Sequence, residues 1–165
     1  MVAMSPSTSS LLIDTNVWLD FFLGFRPGHE HAVGLFNESN EADVSLLYAV
    51  TSTKDVFFLI SSDFKREARR RDGYLDESAA HAAEQAAWAC LESMASIATA
   101  VGCDQSDVWV ARKHRPLHGD YEDDLVIAAA RRSKAGCLVT NDERLLRHSP
   151  VAALSPADAR ALLRA

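Results

Sequence analysis

Acidic side chains recur in this chain where they could work together. Asp14 follows the aliphatic run Leu11-Leu12-Ile13, and Asp142 follows Leu138-Val139-Thr140-Asn141. Asp55 interrupts a long apolar stretch, and Asp120, Glu122, Asp123 and Asp124 crowd together before Leu125-Val126-Ile127. Oxygen-only donors suit a hard divalent cation, which takes a few carboxylates and keeps waters of its own. Two carboxylates about 4 Å apart repel by about 4 kcal/mol at an effective dielectric of ~20, so a cluster is tolerable chiefly with a cation inside it. Such an ion lowers the pKa of a bound water, orients it and stabilises charge on phosphoryl oxygens. Each acid also has a plainer explanation. Asp is a favoured helix N-cap, so Asp14 reads equally as a cap. Asp55 reads as a water-facing neighbour of Lys54. An acidic first turn complements a helix dipole, although one or two acids would suffice where Asp120 to Asp124 supply four.

These residues need elements to position them. A short continuous apolar run such as Leu11 to Ile13 suits a strand buried on both faces. Asp14 then lies at its carboxyl end, where open parallel sheets bind ligands. Cys137-Leu138-Val139 repeats that logic before Thr140 and Asp142. Between these strands the pattern predicts helices over residues 17–23 and 29–40, a strand over 43–46, and a helix over 47–64 with Asp55 in its middle. The cationic run Lys65, Arg66, Arg69, Arg70, Arg71 reads as a solvated helix end or as an RNA-phosphate contact. A helix over 76–93, a strand over 96–101 and a helix from Asp104 or Ser106 through Lys113 follow, the last with Val108, Trp109 and Val110 inward. Residues 114–119 read as a loop holding Pro116. The helix opened by the acidic cluster ends in Arg131, Arg132 and Lys134. A short helix over 143–148, a strand over 151–154 and a helix started by Pro156 complete the chain. Alternating strands and helices predict an α/β fold, a three-layer α/β/α arrangement around a parallel sheet of four to five strands. Right-handed crossovers put all strand carboxyl ends on one rim. Asp14, Thr140 and Asp142 end strands there and Asp123 starts a helix there. Asp55 reaches that rim only if its helix crosses it.

At 165 residues, with 48% hydrophobic and 24% charged side chains, the chain is expected to form one domain over residues 11–165 behind a flexible polar tail over 1–10. A net charge of −6 argues against coating nucleic acid by bulk charge, but permits local basic patches. Cys90, Cys103 and Cys137 are odd in number and show no zinc spacing, which suits a reducing cytoplasm. No apolar run has membrane-spanning length.

The ordered set Leu-Ile-Asp14-Thr-Asn16, Tyr121-Glu122-Asp123 before an aliphatic helix, and Val-Thr140-Asn141-Asp142 resembles the PIN domain, the fold of VapC toxins and other nucleases. The resemblance covers about residues 11–163 and is nearest the subgroup with an aromatic-Glu-Asp motif. It implies a metal-dependent endoribonuclease with Asp14, Asp55, Asp123 and Asp142 as the acidic quartet. Asp14, Asp123 and Asp142 would bind Mg²⁺ or Mn²⁺, and Asp55 would bind metal or position the attacking water. Asn16 and Thr140 match supporting polar positions, with Glu122 and Asp124 as further candidates. Asp55 stands where the family more often has Glu, and Asp124 where it usually has a small residue. The resemblance also implies in-line water attack on RNA leaving a 5′-phosphate, a homodimer, and a cognate antitoxin covering the acidic site. Candidate RNA contacts are Lys65, Arg66, Arg69, Arg70 and Arg71 in one patch and Arg112, Lys113, His114 and Arg115 in another. Trp18 reads as core or as a base-stacking ring; Trp88, Trp109 and His81 read as core or half-exposed.

Other readings compete. Haloacid-dehalogenase-type phosphatases need a second Asp two residues after the first, where this chain has Asn16. Receiver domains need a strand-end Lys, which the strand over 151–154 lacks. A PIN-like fold kept as a protein- or RNA-binding module, with an idle site, is the non-enzymatic alternative.

Overall fold

The computed structural model describes residues 9–165, so most of the tail predicted over 1–10 lies outside the described residues. The sheet is built from β1 (Ser10–Ile13), β2 (Ser45–Ala49), β3 (Thr99–Val101), β4 (Cys137–Val139) and β5 (Ala153–Leu154). All pairings are parallel and the order is β3-β2-β1-β4-β5. The helices are α1 (Thr15–Phe22), α2 (His29–Glu41), α3 (Ser52–Asp72), α4 (Glu77–Ile97), α5 (Gln105–His118), α6 (Tyr121–Ser133), α7 (Glu143–His148) and α8 (Pro156–Leu163).

β1 is central because alternate residues feed both faces. Leu11 and Ile13 join a core with Trp18, Leu35, Val56, Ile60 and Met94, which carries α1 to α4 and α8. Leu12 joins Val126, Ile127, Leu138 and Leu145 on the other face, under α6 and α7. Helices thus cover both faces, as the α/β reading requires. Trp18 is fully buried, edge-on to Phe36 at 4.9 Å, and so belongs to the core.

Several boundaries differ from the sequence reading. The second strand runs Ser45–Ala49, not 43–46, because Leu47, Tyr48 and Ala49 pair with β3 as well as facing the core. An apolar run is ambiguous between strand and helix, and here the ladder claims it. Consequently α3 begins at Ser52 and Asp55 lies in its first turn, not mid-helix. The run from Lys65 to Arg71 continues α3, which Gly73 ends at φ 80°, a left-handed conformation that favours glycine. α4 extends to Ile97, and β3 starts correspondingly late. The loop expected over 114–119 is helical up to His118; Pro116 sits in the last turn of α5, where its ring forgoes one backbone bond. α6 ends on Lys134 at φ 54° rather than on Gly136.

Trp109 is 58% exposed, not inward. α5 buries Asp107, Ala111 and His114, a stripe at helical spacing that turns residue 109 outward. Trp88 is also exposed, edge-on to Phe57, and His81 is exposed.

Candidate active site

Asp14 leaves β1 at the sheet's carboxyl rim and caps α1, so cap and ligand are one residue. Its carboxylate is buried and held from several sides. Oδ1 accepts from the Thr15 amide at 2.7 Å, and Oδ2 accepts from Thr140 Oγ1 at 2.7 Å and Asn16 Nδ2 at 2.8 Å. Thr140 Oγ1 in turn accepts from the Asp142 amide at 3.0 Å and from Asn16 Nδ2 at 3.2 Å. Asn16 Oδ1 accepts the Asn141 amide at 3.0 Å. One buried hydroxyl therefore ties the end of β1 to the turn after β4. Burial nevertheless pushes the Asp14 carboxyl above its ordinary range, against the pull of those hydrogen bonds, with a smaller push from Asp142.

Two neighbouring acids are caps. Asp120 Oδ1 accepts the Glu122 amide at 3.0 Å, and Asp142 Oδ1 accepts the Arg144 amide at 2.7 Å. With the dipole ends satisfied in this way, Asp123 is left over. Its carboxylate makes no hydrogen bond among the described residues, and its pKa is pushed up to about 7. Burial contributes most, followed by the charges of Asp120, Asp14 and Asp142, while Arg144 opposes them. Arg144 lies 3.8 Å from Asp120 and 3.9 Å from Asp142.

Asp55 and Glu122 form a second pair. Partial burial, then the charges of Asp55, Asp120 and Asp14, raise the Glu122 carboxyl, and it shares a hydrogen bond with Asp55. The structure thus brings Asp14, Asp123 and Asp142 into one electrostatic cluster and attaches Asp55 through Glu122. Asp55 arrives because its helix starts at the rim, without having to cross it. Asp124 is placed elsewhere: it is buried on the side of α6 facing α5, lining a cavity of about 160 Å³ with Ala111, Arg112 and Arg115. It is not among the charges that chiefly raise Asp14, Glu122 or Asp123.

Among the described residues no three of His, Cys, Asp and Glu form a ready-made metal cage. The donor set still fits Mg²⁺ or Mn²⁺, since such ions are commonly held by one or two carboxylates and otherwise by water and substrate phosphate. Asp123, with no donor of its own and a raised pKa, and Asp14 beside it are the residues that would hold the ion.

Asp20 and Arg144 escaped the sequence reading. Asp20 is buried, accepting Arg26 Nε at 2.6 Å and Asn141 Nδ2 at 2.7 Å, so it steadies the turn before Asp142. Its only early signal is its place on the inward side of α1. Of the basic patches, the one on α3 is largely neutralised by its own helices. Lys65 pairs with Glu84 at 2.7 Å, Arg70 with Glu67 at 2.7 Å, Arg71 with Asp72 at 2.8 Å, and Arg66 with Asp63. Arg69 has no such partner among the described residues. On α5, Arg112 and Lys113 are exposed, Lys113 lying 3.6 Å over the Trp109 ring, and His114 is buried.

A family model described as the PIN domain matches residues 10–144. The chain belongs to the PIN-domain family. Among solved structures, this PIN domain is similar in fold to a chain from the VapBC2 complex of Rickettsia felis, crystallised with a DNA fragment from their promoter. The TM-score is 0.59 at 12% identity, covering 88% of this chain and 98% of that one. A search of curated proteins finds no match. No described helix of the PIN domain is long and apolar enough to cross a membrane.

Proposed function

We propose that this PIN domain is a divalent-metal-dependent endoribonuclease, the toxin of a type II toxin–antitoxin pair. The observation that carries the reading is Asp123: a half-buried carboxylate without a hydrogen-bond donor, raised to about 7 partly by Asp120, Asp14 and Asp142. Such an arrangement is costly by itself and suits a site completed by a cation.

Asp14 and Asp123 would hold the ion, with Asp142 across the Thr140 hydroxyl from Asp14. Bound Mg²⁺ or Mn²⁺ would acidify water and offset charge on the phosphoryl oxygens. The chain's own part is positioning. Thr140 and Asn16 fix the rotamer of Asp14. Capping fixes Asp142 through the Arg144 amide. Asp55 and Glu122 stand together at the rim, lining the cavity beside the place where substrate would lie. In-line attack by water would leave a 5′-phosphate and a 3′-hydroxyl.

The likeness to a VapBC2 chain supports an antitoxin partner, and the exposed apolar side chains Phe58, Leu59 and Trp88 on α3 and α4 supply surface for antitoxin or a second copy. With these roles, a cytoplasmic location is part of the same proposal. The idle-module reading draws on the lack of a preformed cage among the described residues. Incubating the protein with a pool of cellular RNA, with Mn²⁺ or EDTA, separates the two. The nuclease reading expects metal-dependent fragments carrying 5′-phosphates, absent with Asp14→Asn. Equal cleavage by Asp14→Asn and wild type would refute it.

A further inference from the structure

A track of unpaired cations and one exposed ring leads from α5 to the acidic rim. Tyr121, 53% exposed, forms a wall of two adjoining cavities. One, about 440 Å³, is lined by Asp55 and Glu122 together with Val50, Leu125 and Lys54. The other, about 160 Å³, is lined by Arg112 and Arg115 together with Ala111, Gly119 and the buried Asp124. Both arginine side chains are exposed and make no ion pair or hydrogen bond to another described side chain. This sets them apart from the α3 cations, most of which are tied to Asp63, Glu67, Asp72 and Glu84. A guanidinium without a carboxylate partner remains available to a phosphate, and Arg suits that role by its fork of donors. An exposed phenol flanked by Val50 and Leu125 gives a base a flat face and an apolar floor. The larger cavity is of the size that ordinarily holds a small ligand.

We propose that single-stranded RNA reaches the acidic site across α5, its phosphates on Arg112 and Arg115 and one base stacked on Tyr121. The proposal rests on the ribonuclease reading above and adds to it the path and the stacking residue. Tyr121 is a positioning residue: it seats the nucleotide that neighbours Asp55 and Glu122. The α3 run is then a structural surface and not part of the path.

The test is fluorescence anisotropy of a fluorescein-labelled, mixed-sequence single-stranded RNA oligonucleotide, titrated in EDTA over a range of salt. Tyr121→Ala should weaken binding about 5- to 150-fold, the range for losing one base stack, whereas Tyr121→Phe should keep it. Arg112→Gln with Arg115→Gln should lower the log–log salt slope by about 1.4, each phosphate on a single strand counting for about 0.7. Arg66→Gln with Arg70→Gln should leave that slope unchanged. All these side chains are on the surface, and melting temperatures check that each variant folds. Wild-type binding unaffected by Tyr121→Ala, or a slope that falls with the α3 pair and not the α5 pair, overturns the path while leaving the nuclease reading in place. Absence of salt-sensitive RNA binding by wild type overturns both.

Discussion

Replacing Asp123 by Asn removes one negative charge from a cluster that has little to balance it. The carboxyl is moved from 3.8 to about 7 by burial first, then by Asp120, Asp14 and Asp142. That displacement corresponds to about 4 kcal/mol between its protonated and ionised forms. Asp123 is only partly buried, and screening brings the figure to ~2 kcal/mol. The sign follows from linkage. The folded protein holds this proton more tightly than the unfolded chain, so the acid costs nothing below about pH 3.8. Its cost grows as pH rises and is complete above about 7. In EDTA at pH 8, Asp123→Asn should therefore be the more stable protein, by ~2 kcal/mol or roughly 4–8 °C in melting temperature. At pH 4 the advantage should shrink to less than half. Adding Mn²⁺ at about 100 times its dissociation constant should stabilise wild type by about 2.7 kcal/mol and the variant much less. Thermal melting of both proteins, at both pH values, with EDTA and with Mn²⁺, gives all these quantities. A variant less stable than wild type in EDTA at pH 8, or a difference that ignores pH, would refute the electrostatic reasoning.

Thr140→Val keeps the shape but deletes the hydroxyl that donates to Asp14 and accepts from the Asp142 amide. It should cost about 1–3 kcal/mol in urea unfolding and weaken Mn²⁺ binding, followed by calorimetry, by roughly 10–100-fold. Gly28→Ala would put a Cβ 2.0 Å from Asp20 Oδ2, the oxygen that accepts from Asn141, and so displace the Asp20 carboxylate from that bond. A loss of about 1–3 kcal/mol is expected in the same unfolding assay, and an unchanged midpoint would count against the packing described for that turn.

The sequence was most legible where chemistry and chain direction coincide. Asp14, Thr140 and Asp142 follow apolar strands, and parallel strands deliver their ends to one rim whatever the details between them. The aliphatic helix after Tyr121-Glu122-Asp123 was equally plain. Asp55 was misplaced within its helix because Leu47-Tyr48-Ala49 suits a strand or a helix equally, and only pairing with β3 decides. Trp109 and Asp124 were misjudged for a related reason. Which side of α5 and α6 meets the other depends on their docking, which neither the tryptophan's residue type nor the aspartate's place beside the family motif reveals. Asp20 has no local signature beyond its place on the inward side of α1, and Arg144 has none. Their roles come from neighbours distant in the chain, Asn141 for the first and Asp120 for the second.

The hydrogen bond from Thr140 to Asp14 spans 126 positions. During synthesis Asp14 leaves the ribosome long before Asp142 exists, and β1 must wait for β4 before its buried carboxylate has its hydroxyl partner. A nascent or prematurely terminated chain that ends before β4 lacks Thr140 and Asp142, the second half of the acidic cluster. The acidic cluster is thereby completed only once the chain has been made as far as Asp142.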